Sequence, residues 1–174
     1  LFGLSHNMVE LKEYTEEWAD LYHEEKLRIS DALTGQIFEI QHIGSTAVKG
    51  MSAKPIIDIM VGINDKIFFD AVGGKLETLG YDCLGDCGRP ERIFFVKNEM
   101  DYTTHHLHLV MKDSCYWTDN LLFRDYLLNN LKAADEYKKL KQDIARRYPD
   151  SRMIYRIMKS EYVQNVIDEL RQKR

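Results

Sequence analysis

Three groups of residues in this 174-residue chain have the types and spacing that chemistry needs. The first is His42-Ile43-Gly44-Ser45-Thr46, followed by Lys54-Pro55 and Asp58. A glycine lets backbone approach an anion, hydroxyls add donors, and a lysine adds charge. Asp58 is the one acid in the apolar run Ile56-Ile57-Asp58-Ile59-Met60-Val61. Burying it costs free energy unless it is paired, hydrogen-bonded or bound to a cation. The spacing matches neither a Walker loop nor a dinucleotide loop, so an ordinary turn beside a structurally paired aspartate remains an alternative.

The second group is Thr104-His105-His106-Leu107-His108, which holds three of the six histidines. On a strand, His106 and His108 share one face and His105 takes the other. That pair could hold a divalent metal, set a proton donor beside a phosphate, or be satisfied structurally. The third group is basic. Arg89 and Arg92 flank Pro90, Arg124 and Asp125 are adjacent, and Lys159 lies near the end of the chain. Arginine suits bidentate phosphate recognition, although surface ion pairs are the commoner fate of such residues.

The elements that must position these groups can be read from periodicity. Thr15 is an expected N-cap for a helix with an apolar face from Trp18 to Leu33, stopped by Gly35. Residues 37–43 read as a strand, 44–54 as a loop, and 55–63 as a buried central strand, apolar on both faces. A helix is expected over 65–79, ended by Gly80. Strands at 92–97 and 103–111 form a hairpin, and helices follow near 117–130, 134–148 and 155–173. The order implies a mixed α/β (α+β) fold: an α/β core over 8–112 and C-terminal helices over 113–174 packed on it.

Composition narrows the function. The hydrophobic share of 44% excludes global disorder, and no apolar run approaches the length of a membrane span. A net charge of -4 argues against a nucleic-acid partner. The charge is uneven, because residues 112–174 hold 14 of the 24 basic residues and 10 of the 28 acidic ones. This is either a set of solvated helices or a basic wall facing an anionic ligand. Cys83, Cys87 and Cys115 have no metal or redox spacing, which points to free thiols and a cytoplasmic setting. They also lack an adjacent base, so a thiol nucleophile is not expected. Met8 reads as a start, with residues 1–7 upstream of the fold.

At these residues the chain resembles the GrpB family of the nucleotidyltransferase-fold superfamily. The resemblance runs from about Val9 to Leu170. It is carried by His42 to Val48, Gly50-Met51, Ala53 to Ile59, Arg92, Phe95, His105 to His108 and Phe123 to Leu127, with Tyr137, Lys141 and Lys159. Lys49 departs from the proline usual there. The resemblance implies a mixed sheet in which a Gly-Ser turn holds phosphates and acidic residues on the next strand hold two magnesium ions. Asp58 fits the first acidic position, Met60 stands at the second, and His108 stands where a later strand could supply a third.

The expected ligand is therefore a nucleotide or another small phosphorylated molecule, and nucleotidyl or phosphoryl transfer is the expected reaction class. Gly44, Ser45, Thr46, Lys54 and Arg92 would bind phosphate. Asp58 and His108 would be the catalytic pair. Asp58, His106 and His108 would hold one divalent metal (Mg, Mn or Zn), imidazole favouring the softer ions. The alternative is a non-catalytic ligand-sensing or interaction module. The family's association with dephospho-coenzyme A kinase fusions would link such a module to coenzyme A metabolism.

Overall fold

The computed structural model describes residues 2–5, 9–36 and 38–173. The buried stretch around Asp58 becomes the central strand β3 (Ile57–Ile63), starting two residues after Pro55, which has no N–H to give a ladder. On one side it pairs antiparallel with β2 (Phe38–Ile43), and on the other it pairs parallel with β6 (Tyr102–Met111). The hairpin partner of β6 is β5 (Arg92–Glu99), and β4 (Tyr81–Cys83) extends the sheet beyond it. The sheet order is thus β2-β3-β6-β5-β4. Ile37, the expected first residue of β2, lies outside the described residues.

Each strand alternates between two faces, so register assigns every residue a side. One face carries Ile57, Ile59, Val61 and Ile63 of β3, Leu107 and Leu109 of β6, and Phe95 of β5. Helix α1 (Glu17–Ala32) covers it with Trp18, Tyr22 and Ile29, and α2 (Phe69–Thr78) covers it with Val72 and Leu76. Thr15 Oγ1 accepts from the Glu17 N–H at 3.3 Å at the start of α1. The expected 65–79 helix opens with a short 3-10 turn, and Asp65 accepts from the Ile67 N–H there.

The opposite face carries Asp58, Met60, Gly62, His106, His108 and Val110. Three helices lie toward it: α3 (Cys115–Asn129), α4 (Leu131–Arg147) and α5 (Arg152–Gln172). Ser114, Asn130 and Ser151 cap them, each side chain accepting a backbone N–H in the first turn. Trp117 of α3 packs with Ile43, Met60 and Val110. Val48 and Met51, in the loop after β2, pack with Leu127, Ala133 and Tyr137 of α3 and α4. The C-terminal helices therefore rest on the loop that the sequence singled out.

One sequence expectation is corrected, and one strand had not been anticipated. Residues 1–7 were expected to lie outside the fold, yet β1 (Leu4–Ser5) pairs antiparallel with β6, and Leu4 is buried. The start of β6 offers an open edge beyond the end of β3, and a two-residue strand has too little periodicity to be read in advance. The strand β4 was also missed, because only Tyr81 of its three residues is buried. The three cysteines are free and exposed. Among the described residues, no helix is long and apolar enough to cross a membrane.

Candidate functional site

The site forms where β2 ends and its chain must turn over β3. Ile43 is in register with Asp58, so the next residue, Gly44, sits above the carboxylate. Gly44 has φ of 73°, which favours glycine. A Cβ there would lie 2.4 Å from Asp58 Oδ2. No other residue allows both the conformation and that approach. Ser45–Ala47 then make a 3-10 turn. His42 braces the turn: its Nε2 is 3.0 Å from Thr46 Oγ1, and its ring stacks on Tyr22 at 4.4 Å. Burial lowers the His42 pKa to about 4. Arg124 donates to the His42 carbonyl at 3.0 Å and to Gln41 Oε1 at 2.8 Å, so it fixes the end of β2.

Parallel pairing sets Asp58 opposite His106 and Met60 opposite His108. His106 Nδ1 donates to Asp58 Oδ1 at 3.0 Å. Burial by itself would raise the Asp58 pKa. The His106 hydrogen bond, with the charges around it, reverses that and holds the carboxyl well below the usual carboxylate range. The Asp58 side chain keeps 29% of its surface exposed, so its carboxylate is reachable.

His108 is arranged differently. Arg92 Nη1 lies 2.8 Å from its Nδ1, and the Tyr116 hydroxyl lies 2.9 Å from the same atom. A guanidinium only donates, so Nδ1 is an acceptor and the proton sits on Nε2. Burial, helped by Arg92, lowers the His108 pKa to about 3. Arg92 also lies over the Phe94 ring at 4.5 Å, and its buried Nε has no partner.

A wall of cations faces Asp58 from the loop and the C-terminal helices. Lys54 ends the loop, with its Nζ 5.6 Å from the Tyr155 ring. Burial lowers its pKa to about 7, and Lys159, Arg152 and Arg156 add to the effect, while Asp58 opposes it. Lys141 is fully buried in α4 and donates to Ser45 Oγ at 2.8 Å and to the Ser52 carbonyl at 2.6 Å. Its pKa lies well below the ordinary lysine value, chiefly through burial. Lys159 and Arg152 of α5 are likewise lowered by burial and favoured by Asp58. Among the described residues, no carboxylate lies within 4.0 Å of Lys54, Lys141, Lys159, Arg152 or Arg92.

The expected site residues Gly44, Ser45, Lys54, Asp58, His106, His108 and Arg92 thus belong to one side of the sheet and the loop above it. Thr46 is buried and turned to His42. Arg124 and Asp125 pair with each other and serve β2. Among the described residues, no group of three or more His, Cys, Asp or Glu side chains is placed to hold a metal ion. Met60 is fully buried against Ile43, Val110 and Trp117.

Tyr116, Arg152 and Tyr155 went unnoticed in the sequence, and Lys141 was not placed in the site. For Lys141 a signal existed. Ala133, Tyr137, Lys141 and Ile144 occupy the buried stripe of α4, so a lysine stands where helical spacing demands an apolar residue. A separate open depression of about 310 Å³, lined by Phe2, Lys12, Thr15, Glu17, Trp18 and Pro55, holds no such convergence.

The mixed sheet and its flanking helices have a nucleotidyltransferase-like fold, shared with solved structures of low sequence identity. The solved structure of Cid1, whose subject is RNA terminal uridylyl transferase activity, superposes with a TM-score of 0.51. That match covers 85% of this chain and 49% of the other at 14% identity, a likeness of fold alone. The chain belongs to the GrpB family: the family described as GrpB protein matches residues 8–169. The glutamate-rich protein GrpB of Alkalihalophilus pseudofirmus is 32% identical over 174 residues, which cover 98% of this chain and 100% of that one. The crystal structure of the conserved protein GrpB from Enterococcus faecalis superposes with a TM-score of 0.85 at 31% identity, covering 94% of this chain and 98% of the other.

Proposed function

We propose that the protein binds a nucleotide or another small phosphorylated ligand, its phosphates lying between the Gly44–Thr46 turn and the wall formed by Lys54, Lys159 and Arg152. The observation that carries this reading is the set of cations without carboxylate partners. Burying lysines costs free energy, which Lys54, Lys141 and Lys159 register as lowered pKa values. An anion offsets that cost by favouring their charged forms and accepting their hydrogen bonds. Ser45, already held by Lys141, supplies a hydroxyl at the turn. Arg92, with a buried Nε lacking a partner, supplies a further donor.

Two readings of the consequence remain, transfer of a nucleotidyl or phosphoryl group and binding without transfer. Two-metal transfer needs hard oxygen ligands. Asp58 is one, and Met60 cannot be another. That favours binding without transfer, with the cations holding the ligand. His108, with its Nδ1 taken by Arg92 and Tyr116, would fix Arg92 rather than ligate a metal.

Titration calorimetry with ATP tests the reading on the wild type and Lys54→Ala. A charge-assisted hydrogen bond is worth about 1.5–3 kcal/mol, so the variant should bind roughly ten- to a hundredfold more weakly. Equal affinities would remove Lys54 from the site, and a wild type that binds no phosphorylated compound would refute the proposal.

A further inference from the structure

We propose that this site takes its polyphosphate ligand free of divalent metal, its own lysines and arginines standing where the metal charge would be. The inference rests on the reading above and specifies the ionic form of the ligand.

The donor set does not fit a protein-held metal pair. The second acidic position is Met60, on the same face as Asp58 and fully buried. Two residues further along β3, the Trp117 ring covers Gly62 so closely that a Cβ there would lie 2.5 Å from it. A carboxylate at position 60 would thus have to enter an apolar pocket closed by an indole. On β6, the residue paired with Met60 is His108. Its Nδ1 is already bonded to a guanidinium at 2.8 Å, so an ion at that nitrogen would have to displace Arg92. Asp58 has Oδ1 bonded to His106 and Oδ2 packed under Gly44. Asp58 therefore offers at most one unengaged carboxylate oxygen.

The charge around that donor has the wrong sign for a cation. Lys54, Lys141, Lys159 and Arg152 each act on Asp58 electrostatically, and Arg92 stands behind His108. Several positive side chains surround one carboxylate, and none has another acid to pair with among the described residues. Such a site prefers the ligand form of greatest negative charge. Binding magnesium removes two of those charges from a triphosphate. A nucleotidyltransferase sheet has thus kept its phosphate turn and moved the charge compensation from metal to side chains.

Calorimetry of the full chain with ATP and with inorganic tripolyphosphate, each in EDTA and in excess magnesium, tests this. The metal-free forms should bind at least about tenfold more tightly. Binding that is equal in both conditions, tighter with magnesium or dependent on it would overturn the inference while leaving phosphate binding intact. Binding in neither condition would overturn both. Asp58→Asn, which keeps an acceptor for His106, gives an opposed second sign. Measured at about pH 5.5, where Lys54 stays protonated even without the carboxylate that raises its pKa, removing a repulsive charge should tighten metal-free tripolyphosphate by about threefold or more, provided the variant melts as a folded protein. Weaker binding would show that Asp58 is an attractive element, as a metal ligand would be, and unchanged binding would show that it exerts no repulsion; either result overturns the inference.

Discussion

Lys54 allows the account to be tested by pH alone. Its pKa falls to about 7 through burial and the neighbouring Lys159, Arg152 and Arg156, against a reference of 10.5. If phosphate binds only the ammonium form, affinity follows the protonated fraction. That fraction is about one half at pH 7 and about 1% at pH 9, so affinity should fall roughly fiftyfold over those two units. Binding at pH 8 should take up about one proton, visible as a heat that scales with buffer ionisation enthalpy.

The stability of the free protein runs the other way. A lysine with a lowered folded pKa destabilises the fold fully below about pH 7. The penalty is relieved as pH rises from about 7 toward 10.5, because there the unfolded chain binds more protons. Rising pH should therefore stabilise the free protein through this group and weaken its ligand. Replacing Lys54 with Met should remove one proton of uptake and flatten both trends. Calorimetry with ATP between pH 7.5 and 9, in two buffers, reads this directly. Affinity independent of pH in the wild type, or an equal slope in Lys54→Met, would refute the reasoning.

Other outcomes follow from the same geometry. Gly44→Ala forces a left-handed conformation and drives a Cβ into Asp58, so it should lower stability by about 1–3 kcal/mol in urea denaturation and weaken ATP binding. Gly62→Ala should destabilise through Trp117 and be read by a loss of native tryptophan fluorescence at lower urea. On the other face, Lys97 donates to Glu25 at 2.9 Å with both side chains buried. Glu25→Gln alone should cost about 3–5 kcal/mol, and adding Lys97→Met should recover much of that, with ATP affinity unchanged. A double-mutant cycle showing simple additivity would mean the pair is not coupled.

Much of this was legible because period-two alternation places residues on faces without any knowledge of partners. It set His106 and His108 together and His105 apart, and β6 beside β3 then aligned His106 with Asp58. One acid in an apolar strand marked the point where the turn after β2, His106 and the cations converge, since such a residue needs compensation. The cation wall was less legible. Arg152, Tyr155 and Lys159 lie on one side of α5, but charged residues on a long helix ordinarily face water, and only the packing of α5 turns them inward. The Arg92–His108–Tyr116 contact joins three elements and leaves no mark in any one of them. The strands β1 and β4 were hidden by their brevity.

The most direct test of the central claim is a crystal structure of the protein grown with ATP. The account predicts density for the triphosphate against Ser45, Lys54, Lys159 and Arg152, next to Asp58. The contradicting result is a bound nucleotide with its phosphates elsewhere, or density at Asp58 that belongs to a metal ion coordinated by Asp58, His106 and His108.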